Sequence, residues 1–555
     1  MSGPRGRVGA LTLGVAGAAT TIAVLTLLTR VVGFGRWLVF SGTVGSSCVG
    51  TAYTSANLVP NVLFEVVAGG ALAAAVVPVL SSSLVRGDRD AANRAASAML
   101  CWAVVVLTPV AVLVAVLAGP IAHALLRSDQ CPGQLESAAR MLVAFSPQVL
   151  LYGVGIVLTG VLQAHRRFLG PALAPLVSSL VVIVVYLTFA AVTTRPVEPA
   201  AAAAWLPGRG AEALLALGTT AGVVVLSLPL FVPALRAGIR LRPTLRFDFG
   251  VARRVRTLAA AGLAGLLAQQ VLVLVTLRLA NSSGGTGAIN VYQYVQAVYL
   301  LPYAVLAVPL ATAAFPTLSS QYAAQDARGY GRTLLRSTRL VLVVSVAGAA
   351  VLVAVAPAVG ALFSALDVGG AGLSAMPLAL TAFAPGLIGF ALIAHLGRAL
   401  FSAGHASWAA RSTVAGWLSA VVLSYVLVRA LDADGDVGRT LLALGLASSL
   451  GMTVAGVALW FGANRIRVGP TGSSTQLASS LPVIGAFLLV AVVALLVGRV
   501  ATDRVLEPGI AGALLAGVVG SVLAGAVLVV GLAVVDRDDL RALLRRGARS
   551  GDGGS

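Results

Sequence analysis

The residues best able to do chemistry in this chain sit inside an apolar segment. TRVVGFGR, Thr29 to Arg36, places two arginines in an otherwise uncharged stretch. An arginine at bilayer depth costs about 2.5–3.5 kcal/mol on insertion scales, so each calls for a wet cavity or an anionic partner. Arg30 and Arg36 are six residues apart. That is about 9 Å along an ideal helix and about 120° around it, with Gly33 and Gly35 between them permitting a bend. A planar guanidinium forks two hydrogen bonds onto a phosphate. The expected chemistry is therefore binding of a diphosphate or other anion. The structural alternative is that Arg36 snorkels to the outer interface and Arg30 pairs with a carboxylate such as Glu65.

A second polar set follows in AYTSANLVPNVLFEVVAGGALAAAVVPVLSSSL. Asn57 and Asn61 are one helical turn apart, and Glu65 lies a turn further along the same face. A carboxylate at membrane depth is a functional candidate by default, and a counter-ion role for Arg30 is compatible with that. Pro60 and Pro78 remove backbone hydrogen bonds and Gly69-Gly70 thins the helix, so this element is expected to bend. Gln269 and Gln270, then Tyr292, Gln293, Tyr294 and Gln296, offer hydrogen bonds either to sugar hydroxyls or between helices. His395 reads as a packed side chain rather than a proton carrier, and Arg398 as interfacial. No P-loop, nucleophile triad or zinc spacing appears. Neither an enzyme nor a cofactor or metal is expected, and any coupling ion is left unnamed.

The elements that must position these residues are membrane spans. Hydrophobic residues make up 58% of the chain and charged residues 10%, a composition that cannot cover a soluble surface. Fourteen apolar stretches are long enough to cross the hydrocarbon layer: 10–42, 52–84, 92–118, 135–163, 169–192, 211–235, 254–280, 287–322, 333–361, 375–403, 407–430, 439–462, 476–500 and 509–534. All 38 basic residues are Arg. About 27 of them fall in every second loop or at the chain ends, about nine on the other side and two in the first span. Cytoplasmic loops collect such charge, so both termini are expected inside, with Thr193–Gly210 and the acidic Asp432–Asp436 outside. The net charge of +19 therefore orients spans and attracts anionic headgroups; it does not argue for nucleic acid. The first apolar segment lacks a convincing cleavage site and reads as the first span. Cys48 and Cys131 share the outer side, where a disulfide or two free thiols are both open to them.

The chain also repeats itself. PVLSS at Pro78–Ser82 recurs as PTLSS at Pro316–Ser320, 238 residues on. The same offset maps Asp88 onto Asp326, Arg94 onto Arg332, and FSP at Phe145–Pro147 onto FAP at Phe383–Pro385. Two homologous six-span halves of like orientation follow, an arrangement found in transporters. The expected fold is an all-α polytopic membrane protein with 14 transmembrane helices. Two parallel-repeat six-helix lobes, 1–240 and 241–467, precede two extra C-terminal helices over 468–535 and a cytoplasmic tail over 536–555.

TRVVGFGR, AYTSANLVPNVLFEVVAGGALAAAVVPVLS and YLLPYAVLAVPLATAAFPTLS resemble the MurJ (MviN) family of lipid II flippases, within the multidrug/oligosaccharidyl-lipid/polysaccharide exporter superfamily. The helix 1–2 motif is the specific part, and the variants look like an actinobacterial branch. The resemblance implies two lobes around a V-shaped cavity, alternating access, and a polyprenyl-diphosphate carrying the peptidoglycan disaccharide-peptide. It places the family's two first-helix arginines on Arg30 and Arg36 and a prenyl-tail groove on the last two spans. Partners would be that lipid, membrane lipids and cell-wall synthesis proteins. Three family charges are replaced, by Thr51, Phe64 and Ala297. Two other readings stay open: an ion-coupled exporter of amphipathic small molecules, which needs cavity carboxylates beyond Glu65, and a non-transporting envelope scaffold.

Overall fold

The computed structural model describes residues 5–66, 73–127, 131–246, 249–468, 473–474 and 477–535. The chain divides into two compact units, Met1–Gln270 and Val271–Ser555. The helices in the first are α1 (Arg5–Thr43), α2 (Cys48–Glu65), α3 (Ala73–Val85), α4 (Arg89–Val116), α5 (Ala118–Leu125), α6 (Gln134–Phe145), α7 (Pro147–Ala164), α8 (Leu169–Val192), α9 (Pro199–Ala203), α10 (Arg209–Ser227) and α11 (Phe231–Arg236). Helix α12 (Phe249–Leu279) crosses the division. The second unit continues with α13 (Ala288–Pro302), α14 (Val308–Ala323), α15 (Ala327–Leu366), α16 (Met376–Phe383), α17 (Gly386–Ser402), α18 (Ala406–Ala430), α19 (Val437–Asn464), α20 (Leu481–Val505) and α21 (Ile510–Val535). A two-residue antiparallel pairing, Arg467–Val468 with Ser473–Ser474, joins α19 to the segment before α20.

Among the described residues twelve helical stretches are long and apolar enough to cross a membrane, or thirteen if the bent pair α16–α17 is one span. The remaining expected span, 52–84, is described as α2 and α3 on either side of 67–72. Large apolar side chains stand exposed along these helices, such as Val112, Leu113 and Val116 on α4 and Leu489 on α20. Only a lipid solvent makes that face stable. The chain is thus an all-α polytopic membrane protein.

Several expected spans are broken where Pro removes a donor. The fourth divides at Ser146, before Pro147. The tenth divides at Ala384-Pro385 and turns through 49°. The sixth passes through a tight 3-10 turn at Leu228–Leu230, around Pro229. In the second unit, wider π-helical turns follow α12 at Ala280–Gly284 and α13 at Tyr303–Ala307. Such turns bend a helix without leaving its backbone unpaired.

The repeat is visible as shared local geometry. Asp88 caps α4 by accepting from the Ala91 N–H at 2.8 Å, and Asp326 caps α15 by accepting from the Gly329 N–H at 2.8 Å. Each follows a left-handed residue, Gly87 and Gln325. Arg166 and Gly404, again 238 apart, are left-handed just past α7 and α17. Phe145 and Phe383, at the paired breaks, are both fully buried.

Each unit has its own core. In the first, Val76, Leu80, Met99, Val157, Leu158 and Leu162 knit α3, α4 and α7. In the second, Leu318, Leu334, Leu396, Leu400 and Leu459 join α14, α15, α17 and α19. Helices α20 and α21 pack on each other and on α15 through Val343, Val346, Phe487, Ala491 and Leu528. A Cβ on Gly498 would meet the Ala524 Cβ at 2.8 Å and the Gly520 carbonyl at 2.9 Å. The small residues of these two helices therefore serve close helix packing.

Candidate functional site

Helices α1 and α2 carry the residues expected to bind, and the end of the first unit where α1 leads into α2 holds the two in place. Disulfide Cys48–Cys131 ties the start of α2 to the segment before α6, with Cα atoms 6.3 Å apart. Of the two possibilities left open by the sequence, the disulfide is the one formed. Gln134 donates to the Cys48 carbonyl at 2.9 Å across the same junction. Arg195 donates to the carbonyls of Thr43 and Val44, closing the C-terminal end of α1, and stacks over Trp205 at 4.9 Å. Arg140 on α6 grips Glu212 on α10 with both carboxylate oxygens engaged, at 2.7–3.0 Å. Glu212 is buried, so this pair is a fixed strut.

Just inside this end is an aromatic cluster. The Tyr53 hydroxyl bonds to those of Tyr186, at 2.9 Å, and Thr219, at 3.0 Å. Phe40 packs on Tyr53 and Tyr186, and Phe145 on Tyr53, with ring centroids 5.4–5.6 Å apart. It links α1, α2, α6, α8 and α10.

Beyond the cluster α1 follows α8, whereas α2 lies on α6 and α7. Arg36 stands seven residues before Thr43, the end of α1, a depth of about 10 Å at helical rise. Its guanidinium lies 5.8 Å from the Trp37 ring centroid. Arg30 stands thirteen residues before Thr43, about 20 Å deep. It is exposed. On α2, Asn57 is nine residues and Asn61 thirteen residues after Cys48, about 14 and 20 Å deep. The two arginines and the two asparagines thus cover the same depths on different helices. Glu65 ends α2 and is exposed. Among the described residues, no ion pair within 4 Å joins it to Arg30 or Arg36.

The asparagines differ. Asn61 accepts a hydrogen bond from the Tyr152 hydroxyl at 3.0 Å, which fixes it against α7. The Asn57 Oδ1 is buried with no partner among the described residues. The Phe64 ring packs at a tilt on the Tyr152 ring, with centroids 4.4 Å apart. Tyr152 therefore positions two α2 residues at once. The sequence analysis did not single it out, although its place five residues after the Phe145–Pro147 break was a usable signal.

Of the residues expected to bend, Gly33 and Gly35 lie within the unbroken α1, and a Cβ on either would meet nothing within 4 Å. Pro60 lies within α2, which continues through it. Gly69 and Gly70 fall outside the described residues. In the second unit, Gln296 donates to the Tyr292 hydroxyl at 2.9 Å on its own helix, and Gln293 is half-buried beside it. Tyr294 points elsewhere, donating to Asp367 at 2.9 Å and stacking on Phe363. His395 is buried and bonded to Ser337 through Nε2 at 3.0 Å, as a packed side chain should be.

Arg30 and Arg36 on α1 and Asn57 and Asn61 on α2 thus stand at like depths in the first unit. The family described as "Lipid II flippase MurJ" matches residues 40–511. The chain belongs to the MurJ lipid II flippase family. A probable MurJ of Synechocystis sp. is 32% identical over 245 residues, covering 43% of each chain. The Burkholderia cenocepacia MurJ is 27% identical over 385 residues, 68% of this chain and 71% of that protein. A solved lipid II flippase MurJ in an inward closed conformation shares the fold, with TM-score 0.72 and 16% identity over 94% of this chain and 99% of that one. A multidrug resistance MATE family transporter of the MOP superfamily, in an inward-facing conformation, shares the fold with TM-score 0.62 and 14% identity, over 78% of this chain and 94% of its own. The MurJ match begins at Phe40. Arg30 and Arg36 lie just before it, so their assignment rests on the residues themselves.

Proposed function

We propose that this MurJ-family chain moves a polyprenyl-diphosphate-linked peptidoglycan precursor from the inner to the outer leaflet by alternating access. Arg30 and Arg36 receive the diphosphate, and the Asn57–Asn61 edge of α2 receives polar groups of the same headgroup. The observation that carries this reading is Arg30: it lies at membrane depth with neither carboxylate nor hydrogen-bond acceptor among the described residues. Such a cation needs water and an anion to be tolerated there. Glu65, expected either as a ligand or as a counter-ion, supports the first role better, because among the described residues no ion pair joins it to Arg30 or Arg36.

The working orientation puts both termini in the cytoplasm. The arginine distribution supports it, and so does the disulfide, which forms in an oxidising compartment on the side assigned as outer. Movement would bend the helices where their sequence weakens them, at Gly33 and Gly35 in the continuous α1 and at Pro60 in the continuous α2. The test is whether the gene sustains growth when a host's own lipid II flippase is depleted, with lipid II accessibility to an outer-face probe as the direct readout. Growth arrest with unflipped lipid II, despite membrane insertion, would reject the transport reading.

A further inference from the structure

The internal repeat supplies a control for reading the second unit. Between α14 and α15 lies a cavity of about 340 Å³, lined by Leu310, Ala313, Ala314 and Leu340 at one end and by Thr317, Thr333, Arg336 and Ser337 at the other. His395 stands behind it, bonded to Ser337. Subtracting the repeat offset of 238 from Thr317, Thr333, Arg336, Ser337 and His395 gives Val79, Ala95, Ala98, Met99 and Val157. All five are apolar and buried in the first unit. Thus five positions that make a dry contact in one half carry polar residues in the other, four lining an open groove and the buried His395 backing it.

Packing does not require that difference, because the first half packs well with apolar residues. Nor does solubility, because the positions lie on membrane-spanning helices. Arg336 has no carboxylate or hydrogen-bond partner among the described residues. The His395 Nδ1 is likewise buried without a partner. The Ser337 hydroxyl is already engaged by the Thr333 carbonyl, at 2.7 Å, and by His395, which leaves the guanidinium and the Thr317 and Thr333 hydroxyls as the donor set of a phosphate site. The polar end lies toward the 324–326 turn, flanked by Arg328 and Arg332. The other end is apolar and runs deeper along the helices.

We propose that this groove in the second unit binds the phosphate group of an anionic lipid, with Arg336, Thr317 and Thr333 on the headgroup, the Ser337–His395 pair behind them, and Leu310, Ala313 and Leu340 along the chain. The site is separate from the Arg30–Arg36 set and does not depend on the transport reading. Its asymmetry between the two halves gives the second unit a lipid response that the first lacks.

The test uses the full chain purified in a neutral detergent, with thermal unfolding followed while phosphatidylglycerol, phosphatidylcholine or pyrophosphate is titrated in. Phosphatidylglycerol should raise the Tm saturably, and Arg336→Ala should raise the half-saturating lipid by about tenfold or more, as expected for removing a charged hydrogen-bonding group. A second variant guards against misfolding. It combines Thr317→Val, Thr333→Ala, Arg336→Ala, Ser337→Met and His395→Val, the residue set that already packs in the first half, and it should lose the response while still unfolding cooperatively. Arg411→Ala should keep it. An equal phosphatidylglycerol shift in the wild type and both groove variants overturns the proposal. So does an equal shift from phosphatidylcholine, or a shift produced by pyrophosphate alone.

Discussion

Replacing Arg30 by Ala separates a binding role from a structural one, because the structure sets different magnitudes for the two. Arg30 is exposed and has no partner among the described residues. Truncating it leaves no protein group orphaned, so folding stability should change by no more than about 0.5 kcal/mol. The effect on transport is larger. Hydrogen bonds to charged groups contribute about 1.5–3 kcal/mol each, so a bidentate contact to a diphosphate is worth about 3–6 kcal/mol undiscounted. Water in an open cavity replaces part of that, leaving about 2–3 kcal/mol, or a loss of about 30–150-fold. Arg30→Lys keeps the charge without the planar fork and should fall between, about five- to tenfold down. The assay is lipid II flipping in proteoliposomes at matched protein density, paired with a Tm on the same preparation. Wild-type flipping by Arg30→Ala refutes the diphosphate contact. A Tm drop of many degrees with proportionate loss of flipping shows instead a structural arginine. Arg411, exposed and unpartnered, is the suitable control, because Arg465 stacks on Trp408 at 5.1 Å and its removal has a packing cost.

Orientation can be checked with an impermeant thiol reagent after native thiols are masked. Ala202 is buried, so Val197→Cys, at a residue 98% exposed, is the better outer probe; it should label in intact cells and Ala324→Cys should not, and the reverse overturns the topology. Cys48 and Cys131 should resist alkylation until reduced, leaving Cys101 as the reactive thiol. Their pairing spans 83 residues, worth at most about 4–5 kcal/mol in chain-entropy terms and less where the unfolded chain stays inserted; a Tm unmoved by Cys131→Ser refutes any stabilising role. Arg140→Ala strands the buried Glu212 and should destabilise the first unit by about 3 kcal/mol, with Arg140→Ala/Glu212→Gln recovering part of it. No recovery in the double variant would place the loss in packing instead. Tyr152→Phe keeps the Phe64 stack but frees Asn61, and should cost about 1 kcal/mol of stability; an unchanged Tm would show that Asn61 is held by other means.

Sequence alone determined the solvent, the number of spans and the repeat. Those depend on runs of side chains and on charge counts, which survive any rearrangement in three dimensions. Asp88 and Asp326 were matched in the sequence only as repeat partners; the structure shows that each caps the helix it precedes. The candidate arginines were legible because a charge in an apolar run is anomalous wherever the run goes. The tertiary structure decided what such local signals cannot carry. A disulfide between Cys48 and Cys131 needs two loops brought to within reach. Tyr152 matters only because α7 faces α2, where its hydroxyl meets Asn61 and its ring meets Phe64. Arg30 and Glu65 were candidates for each other by spacing, yet no ion pair joins them, because helices linked by a short turn still choose their own neighbours. The polar groove at Arg336 needed both kinds of knowledge: the repeat offset from the sequence, and from the structure the fact that the matching positions in one half are sealed while in the other they stand open.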